Sequence, residues 1–119
     1  MPGRSEEAGL HMPNITIFIP PGAMPEDEPL AELSDRCAGL CIGVLRAAPE
    51  NVHVACVAAH LGRGHPVFVD VRYRLEPFRT ADTMASFMDG LEDAIRSATR
   101  LTPRIRCFGY AASNIHARN

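Results

Sequence analysis

The sequence predicts a two-layer sandwich of the α/β (α+β) class, with a four-stranded sheet that carries both helices on one face. Three observations lead to this prediction. The segments follow the order β-α-β-β-α-β, the 119 residues divide into two similar β-α-β halves, and a proline closes each helical pattern. Within each half, a right-handed crossover makes the two strands parallel. Two helices that cover one face of the sheet give two layers.

The first strand starts directly after Met12-Pro13. Its isoleucines fall on one face and its other residues on the opposite face: Ile15, Ile17 and Ile19 against Asn14, Thr16 and Phe18. This period of two is typical of a strand whose faces meet different surroundings. A proline suits this start because its missing N–H costs no hydrogen bond of the ladder there.

The first helix is signalled by acidic residues at its start, Glu26, Asp27 and Glu28, where the helix dipole favours negative charge. Pro29 is expected as the first helical residue. Apolar residues then follow the spacing of a buried stripe: Leu30, Leu33, Cys37, Leu40, Cys41, Val44 and Leu45. Pro49 marks the end of this pattern.

The second half begins after a strand expected from Asn51 to Ala59 and a loop from Leu61 to Pro66. The third strand, Val67 to Leu75, alternates apolar residues with a second face formed by Phe68, Asp70, Arg72 and Arg74. Thr80 is the expected N-cap of the second helix. Its apolar stripe consists of Met84, Phe87, Met88, Leu91, Ile95 and Ala98, and the fourth strand runs from Arg104 to Tyr110.

Composition excludes several classes of partner. The formal net charge of −2 gives no reason to expect nucleic acid or an anionic membrane surface. No apolar run approaches the roughly 20 residues of a membrane span. The four cysteines lack Cys-x-x-Cys spacing, and the histidines lack metal-ligand spacing, so reduced thiols in a cytoplasmic protein are favoured over disulfides or zinc. No metal and no cofactor are expected.

All twelve basic residues are arginines, which leaves the recognition of anions to planar guanidinium groups. Arg72 and Arg74 are the first candidates, because their spacing of two places them on one strand face beside Asp70. An alternative stays open, in which Asp70 and Arg72 pair across a subunit contact. Arg79 is a further candidate for anion binding, and its alternative is a solvated surface arginine.

The same element order occurs in the ferredoxin-like fold, which includes RNA-recognition modules. Those modules carry aromatic residues in characteristic positions on their central strands. The third strand offers Phe68-Val69-Asp70-Val71-Arg72-Tyr73, which lacks that pattern. The sequence therefore disfavours this interpretation.

Several motifs resemble the tautomerase superfamily. Met12-Pro13 followed by an alternating strand is similar to the start of its members, and the tail from Arg104 to Ile115 is similar to that of the macrophage migration inhibitory factor type. The segment Val71–Arg74, with Arg79 after it, resembles the arginine-bearing segment of malonate semialdehyde decarboxylase and cis-3-chloroacrylic acid dehalogenase. The resemblance divides the chain into a tautomerase-like domain, residues 13–119, and an N-terminal extension, residues 1–12, that is flexible or a mis-assigned start.

The resemblance implies a keto–enol tautomerase or isomerase, or related dehalogenase or decarboxylase chemistry, on a small carboxylate-bearing substrate. It implies that the amine of Pro13, freed by removal of Met12, is the catalytic group. The implied substrate-binding residues are Arg72, Arg74, Arg79, Tyr110, Asn114 and Phe108. Phe108 departs from the family, because several members have a tyrosine there. The resemblance also implies a homotrimer.

A second interpretation follows from the peptide bond between Met12 and Pro13. While Met12 is attached, the nitrogen of Pro13 is an amide and has essentially no basicity. The alternative is therefore a non-catalytic trimeric tautomerase-like protein, or a small-ligand-binding domain that keeps the arginine-lined pocket.

Overall fold

The predicted element order is confirmed. A computed structural model describes residues 12–119, so the predicted extension lies outside the described residues except for Met12. The elements are β1 (Asn14–Ile19), α1 (Asp27–Gly43), β2 (His53–Ala58), β3 (Val67–Arg74), α2 (Ala81–Thr99) and β4 (Pro103–Tyr110). Short 3-10 turns lie at Pro21–Ala23, Pro49–Asn51 and Ala112–Asn114.

The four strands form one mixed sheet in the order β2-β1-β3-β4. β1 and β2 are parallel, as are β3 and β4, whereas the central pair β1 and β3 is antiparallel. Each parallel pair belongs to one β-α-β half, as the crossover rule requires. The two helices contact each other on one face of the sheet, which confirms the predicted two-layer sandwich.

The core lies between the sheet and the helices. The helix-facing side chains of the two central strands are fully buried: Ile15, Ile17 and Ile19 of β1 and Val67, Val69 and Val71 of β3. Phe87, Leu91 and Ile95 of α2 and Leu33, Cys37 and Cys41 of α1 cover them. Each such side chain stabilises the fold by about 1.5–3 kcal/mol relative to an exposed position. The alternation in the sequence therefore separates the core face from the open face.

The helix ends agree with the sequence only in part. Thr80 is the N-cap of α2, since its hydroxyl accepts a hydrogen bond from the Thr83 N–H at 3.2 Å. Glu26 is the N-cap of α1, so the prediction that Pro29 is the first helical residue is wrong by two positions. Proline is tolerated throughout the first turn, because the N–H groups there have no partner within the helix.

All four cysteines are free thiols. Burial raises the pKa of Cys37 and Cys41 to about 12. Burial, with a smaller effect from Asp70, raises the pKa of Cys107 to about 11, and burial also raises the pKa of Cys56. Cys37 and Cys41 belong to the core, and Cys56 and Cys107 pack against it, where burial disfavours the reactive thiolate form.

Candidate active site

The open face of the sheet carries a polar row at the end where β1 begins. Asn14 of β1 lies between His53 of β2 and Arg72 of β3. Phe108 of β4 lies on the other side of Arg72. The four residues belong to the face that the helices leave uncovered, so this row is a surface on which a small molecule can be bound.

Pro13 directly precedes Asn14, at the same end of the sheet as this row. It precedes β1, is fully buried, and its carbonyl oxygen accepts a hydrogen bond from the His53 N–H at 3.3 Å. Continuing the antiparallel register by one residue places Pro13 beside Tyr73, and by two residues places Met12 beside Arg74. An amine freed by the loss of Met12 would therefore sit at the strand end that carries Arg72 and Arg74.

Arg72 is the centre of the best-defined cluster. Its Nε donates to Asp70 Oδ1 at 3.1 Å and its Nη2 to Oδ2 at 3.5 Å, while Nη1 donates to the Tyr110 hydroxyl at 3.0 Å. Its guanidinium carbon lies 5.6 Å from the centroid of the Phe108 ring, within the range of a cation–π contact. The hydrogen bond and charge of Asp70 raise the pKa of Arg72. The structure thus joins three of the predicted residues, Arg72, Tyr110 and Phe108.

The Asp70–Arg72 ion pair forms within one chain, so the pairing needs no subunit contact. The Arg72 side chain is 51% exposed, which leaves its guanidinium accessible to a ligand. Arg74 follows on the same face and beside Tyr110, with its Nε 3.4 Å from Glu76 Oε2. Both arginines are therefore oriented by carboxylates of the chain itself.

Arg79 is buried, with 5% of its surface exposed, so the interpretation as a solvated surface arginine is wrong. Its Nε donates to the carbonyl of Leu45 at 2.9 Å and its Nη1 to the carbonyl of Arg74 at 2.8 Å. Desolvation lowers its pKa. These two bonds join the segment after α1 to the end of β3, and they position the backbone of Arg74.

Replacing Arg79 by alanine should lower the free energy of unfolding by about 3 kcal/mol, because the buried carbonyl of Leu45 and the partly buried carbonyl of Arg74 lose their donor. Denaturant unfolding followed by circular dichroism measures this change. Arg96→Ala is the matched control. Its ion pair with Glu92 is exposed, and such pairs contribute about 0–1 kcal/mol. Equal losses for the two variants would contradict a structural role for Arg79.

Asn114 lies in the exposed 3-10 turn after β4, where its backbone N–H donates to the carbonyl of Ala111 at 2.9 Å. This turn follows Tyr110, so Asn114 is near the polar end of the sheet in sequence. Its predicted contact with a substrate stays a prediction.

A cavity of about 410 Å³ opens on the β2 side of Asn14. It is lined by Asn14, Glu50, Asn51, Val52, His53 and Asn119. Sequence reasoning missed it, because the histidines lack metal-ligand spacing and Glu50 belongs to no motif. The parallel pairing of β1 with β2 was the available signal, since it places the start of β2 beside Pro13.

Residues 12–119 contain no helix that is long and apolar enough to cross a membrane. In the same part of the chain, no group of three or more His, Cys, Asp or Glu side chains is arranged to hold a metal ion.

The fold and the site together define a class of protein. This chain is a two-layer α+β protein built from two β-α-β halves, and a proline precedes its first strand at the sheet end that carries the arginine cluster. No family model matches the chain, and no curated protein matches its sequence. Solved structures do match its fold. The macrophage migration inhibitory factor-like protein from Entamoeba histolytica is 13% identical, with a TM-score of 0.72, over 91% of this chain and 96% of that one.

Two further structures extend the likeness. N1, a member of the cis-3-chloroacrylic acid dehalogenase family, is 15% identical with a TM-score of 0.72, over 87% of this chain and 79% of that one. The symmetric trimer of the fused 4-OT Q0 is 12% identical with a TM-score of 0.73, over 88% of this chain and 91% of that one. The chain therefore has the same fold as these three solved structures, which is the fold that the resemblance predicted.

Proposed function

We propose that this chain is a keto–enol tautomerase or isomerase of the tautomerase superfamily, acting on a small carboxylate-bearing substrate. The observation that supports this most is the position of Pro13 at the end of the sheet where Arg72 contacts Asp70, Tyr110 and Phe108. In this proposal the Pro13 amine moves the proton and Arg72 binds the carboxylate. A protonated amine at the same place would act as an acid, as in related dehalogenase or decarboxylase chemistry.

The amine requires removal of Met12. An α-amino group has an ordinary pKa near ~8. Burial of Pro13 favours the neutral form of this amine, which can accept a proton. The neutral amine takes the hydroxyl proton of an enol and returns a proton to carbon, so that C=C–OH becomes CH–C=O.

The arginine cluster supplies binding and charge stabilisation. A guanidinium group binds a carboxylate through two parallel hydrogen bonds. Because the Tyr110 hydroxyl accepts from Arg72, its own hydrogen is free to donate to a substrate oxygen. A donor aimed at an oxygen that gains negative charge lowers the barrier to proton transfer.

The proposal includes a homotrimer in the cytoplasm. The far end of the open face is apolar, with Val57 of β2 exposed and the rings of Phe18 and Phe68 6.3 Å apart. A sheet covered by helices on one face gains stability when its other apolar surface is covered as well. One protein of similar fold is a symmetric trimer.

Protein purified from its natural host should begin at Pro13, as measured by intact-mass spectrometry. Its native mass by light scattering should be three times that of one chain. Recovery of a chain that retains Met12 would contradict the catalytic role of Pro13. A monomer at micromolar concentration would contradict the trimer, and the two outcomes are independent of each other.

The second candidate is a carboxylate-binding protein without catalysis. The peptide bond between Met12 and Pro13 in the sequence favours it, since an amide nitrogen has no basicity. The Arg72 cluster needs no free amine and is present with Met12 attached. A chain that retains Met12, binds a small carboxylate and shows no turnover would support this candidate over the first.

A further inference from the structure

Asp70 occupies one edge of the Arg72 guanidinium. It accepts hydrogen bonds from both Nε and Nη2, while the Tyr110 hydroxyl accepts from Nη1. An arginine side chain has five N–H donors. Within the described residues, one N–H on Nη1 and one on Nη2 are therefore left for a ligand. A substrate carboxylate that uses them must bind to a guanidinium that already carries a carboxylate.

The charges around Arg72 limit the number of carboxylates that the ligand can carry. Asp70 already neutralises Arg72, and Glu76 lies against Arg74. Arg106 stands next to Asp70 in the register, and its Nη1 donates to the carbonyl of Ile105. The remaining donors of Arg72 accommodate one ligand carboxylate, whereas a second carboxylate of the same small molecule that lies on the Asp70 side is repelled by the negative charge of Asp70.

One side of Arg72 is apolar, the side formed by Phe108. Phe108 is 43% exposed, and its ring lies under the guanidinium at 5.6 Å. An aromatic ring favours a neutral, apolar group on the rest of the substrate over a second charged group. Repulsion by Asp70 and apolar contact with Phe108 therefore both favour a substrate with a single carboxylate.

We infer that Asp70 is a specificity-determining residue that restricts the site to substrates with a single carboxylate and a neutral, apolar remainder. Asp70 also fixes the direction of Arg72 through its two hydrogen bonds. This inference rests on the proposed function, which places the substrate carboxylate at Arg72.

The test compares wild type with Asp70→Asn, and the measured quantity is the ratio of the affinities for a monocarboxylate and a dicarboxylate. Binding of cinnamate, a monocarboxylate, and trans,trans-muconate, a dicarboxylate, is measured by isothermal titration calorimetry. Wild type should prefer cinnamate by about tenfold or more, and Asp70→Asn should reduce this preference about tenfold, the effect of removing one nearby like charge. Asparagine retains an acceptor for Arg72, so the cluster persists while the negative charge is lost.

Asp89→Asn is the matched control, because Asp89 is exposed on α2, in the layer opposite the open face. It removes the same charge and should leave the preference within twofold of wild type. A preference that is unchanged in Asp70→Asn, or that changes equally in Asp89→Asn, overturns the inference. Failure of both acids to bind wild type also overturns it.

Turnover is measured separately, with phenylenolpyruvate and 2-hydroxymuconate as the monocarboxylate and dicarboxylate enols. A changed binding preference without ketonisation would support the role of Asp70 and refute the proposed catalysis. Ketonisation with an unchanged preference would support the catalysis and refute the role of Asp70. A failure of the inference about Asp70 can thus be distinguished from a failure of the proposed catalysis.

Discussion

Protein that begins at Pro13 should ketonise phenylenolpyruvate about 10²–10⁴-fold faster, in kcat/KM, than protein that retains Met12, the usual contribution of a positioned general base. The difference arises because only the first protein has a basic nitrogen at the start of β1. Both proteins can be released from a fusion by a protease that leaves the chosen first residue. The loss of enol absorbance gives the rate.

The pH profile adds a second readout to this comparison. The neutral amine is the base, so kcat/KM of the Pro13-initiated protein should rise with pH through the pKa of the amine and then level off. Burial at the position of Pro13 disfavours the charged amine and places that pKa below its ordinary value of about 8. Protein with Met12 attached should show no such rise. Equal rates for two equally folded proteins would refute the role of Pro13.

Arg72→Ala should lower kcat/KM for the same substrate by about a hundredfold, mainly through a higher KM. Hydrogen bonds between charged groups contribute about 1.5–3 kcal/mol each, which corresponds to roughly 10–100-fold. The change removes the proposed carboxylate site and also the donor that positions the Tyr110 hydroxyl. Steady-state kinetics on the Pro13-initiated protein measures the effect.

Arg104→Ala is the matched control for this change. Arg104 is an exposed arginine on the same face, but it lies at the opposite end of β4, beside Phe68. It should leave kcat/KM within about twofold, as expected for a surface substitution away from the site. A similar loss in both variants would show that net charge, and not the Arg72 cluster, governs binding.

The architecture was predictable because two independent periodicities agree. The alternation of Ile15, Ile17 and Ile19 fixes which face of β1 enters the core, and the helical stripe through Leu33, Cys37 and Cys41 supplies its cover. The same alternation places Arg72 and Arg74 on the open face. When the period of a single strand or helix determines whether a residue faces the core or the open face, that residue could be assigned to its face from the sequence.

Contacts between distant segments were not predictable in the same way. Arg79 lies in the segment between β3 and α2, which has the composition of a surface loop, yet it is buried and donates to the carbonyl of Leu45. Glu50 and His53 border a cavity only because β2 lies parallel to β1. No local pattern encodes such approaches, since they depend on how two elements pack.

The sheet topology has a practical consequence for anyone who labels this protein. β1 runs antiparallel to β3 and β4, so Pro13 and Tyr110 lie at the same edge of the sheet. An affinity tag or fluorophore attached at either end of the domain would be tethered beside the arginine cluster. The exposed segment of residues 60–66 connects β2 to β3 at the opposite edge. A probe inserted there reports on the protein from the far side of the molecule and leaves the approach to the site open.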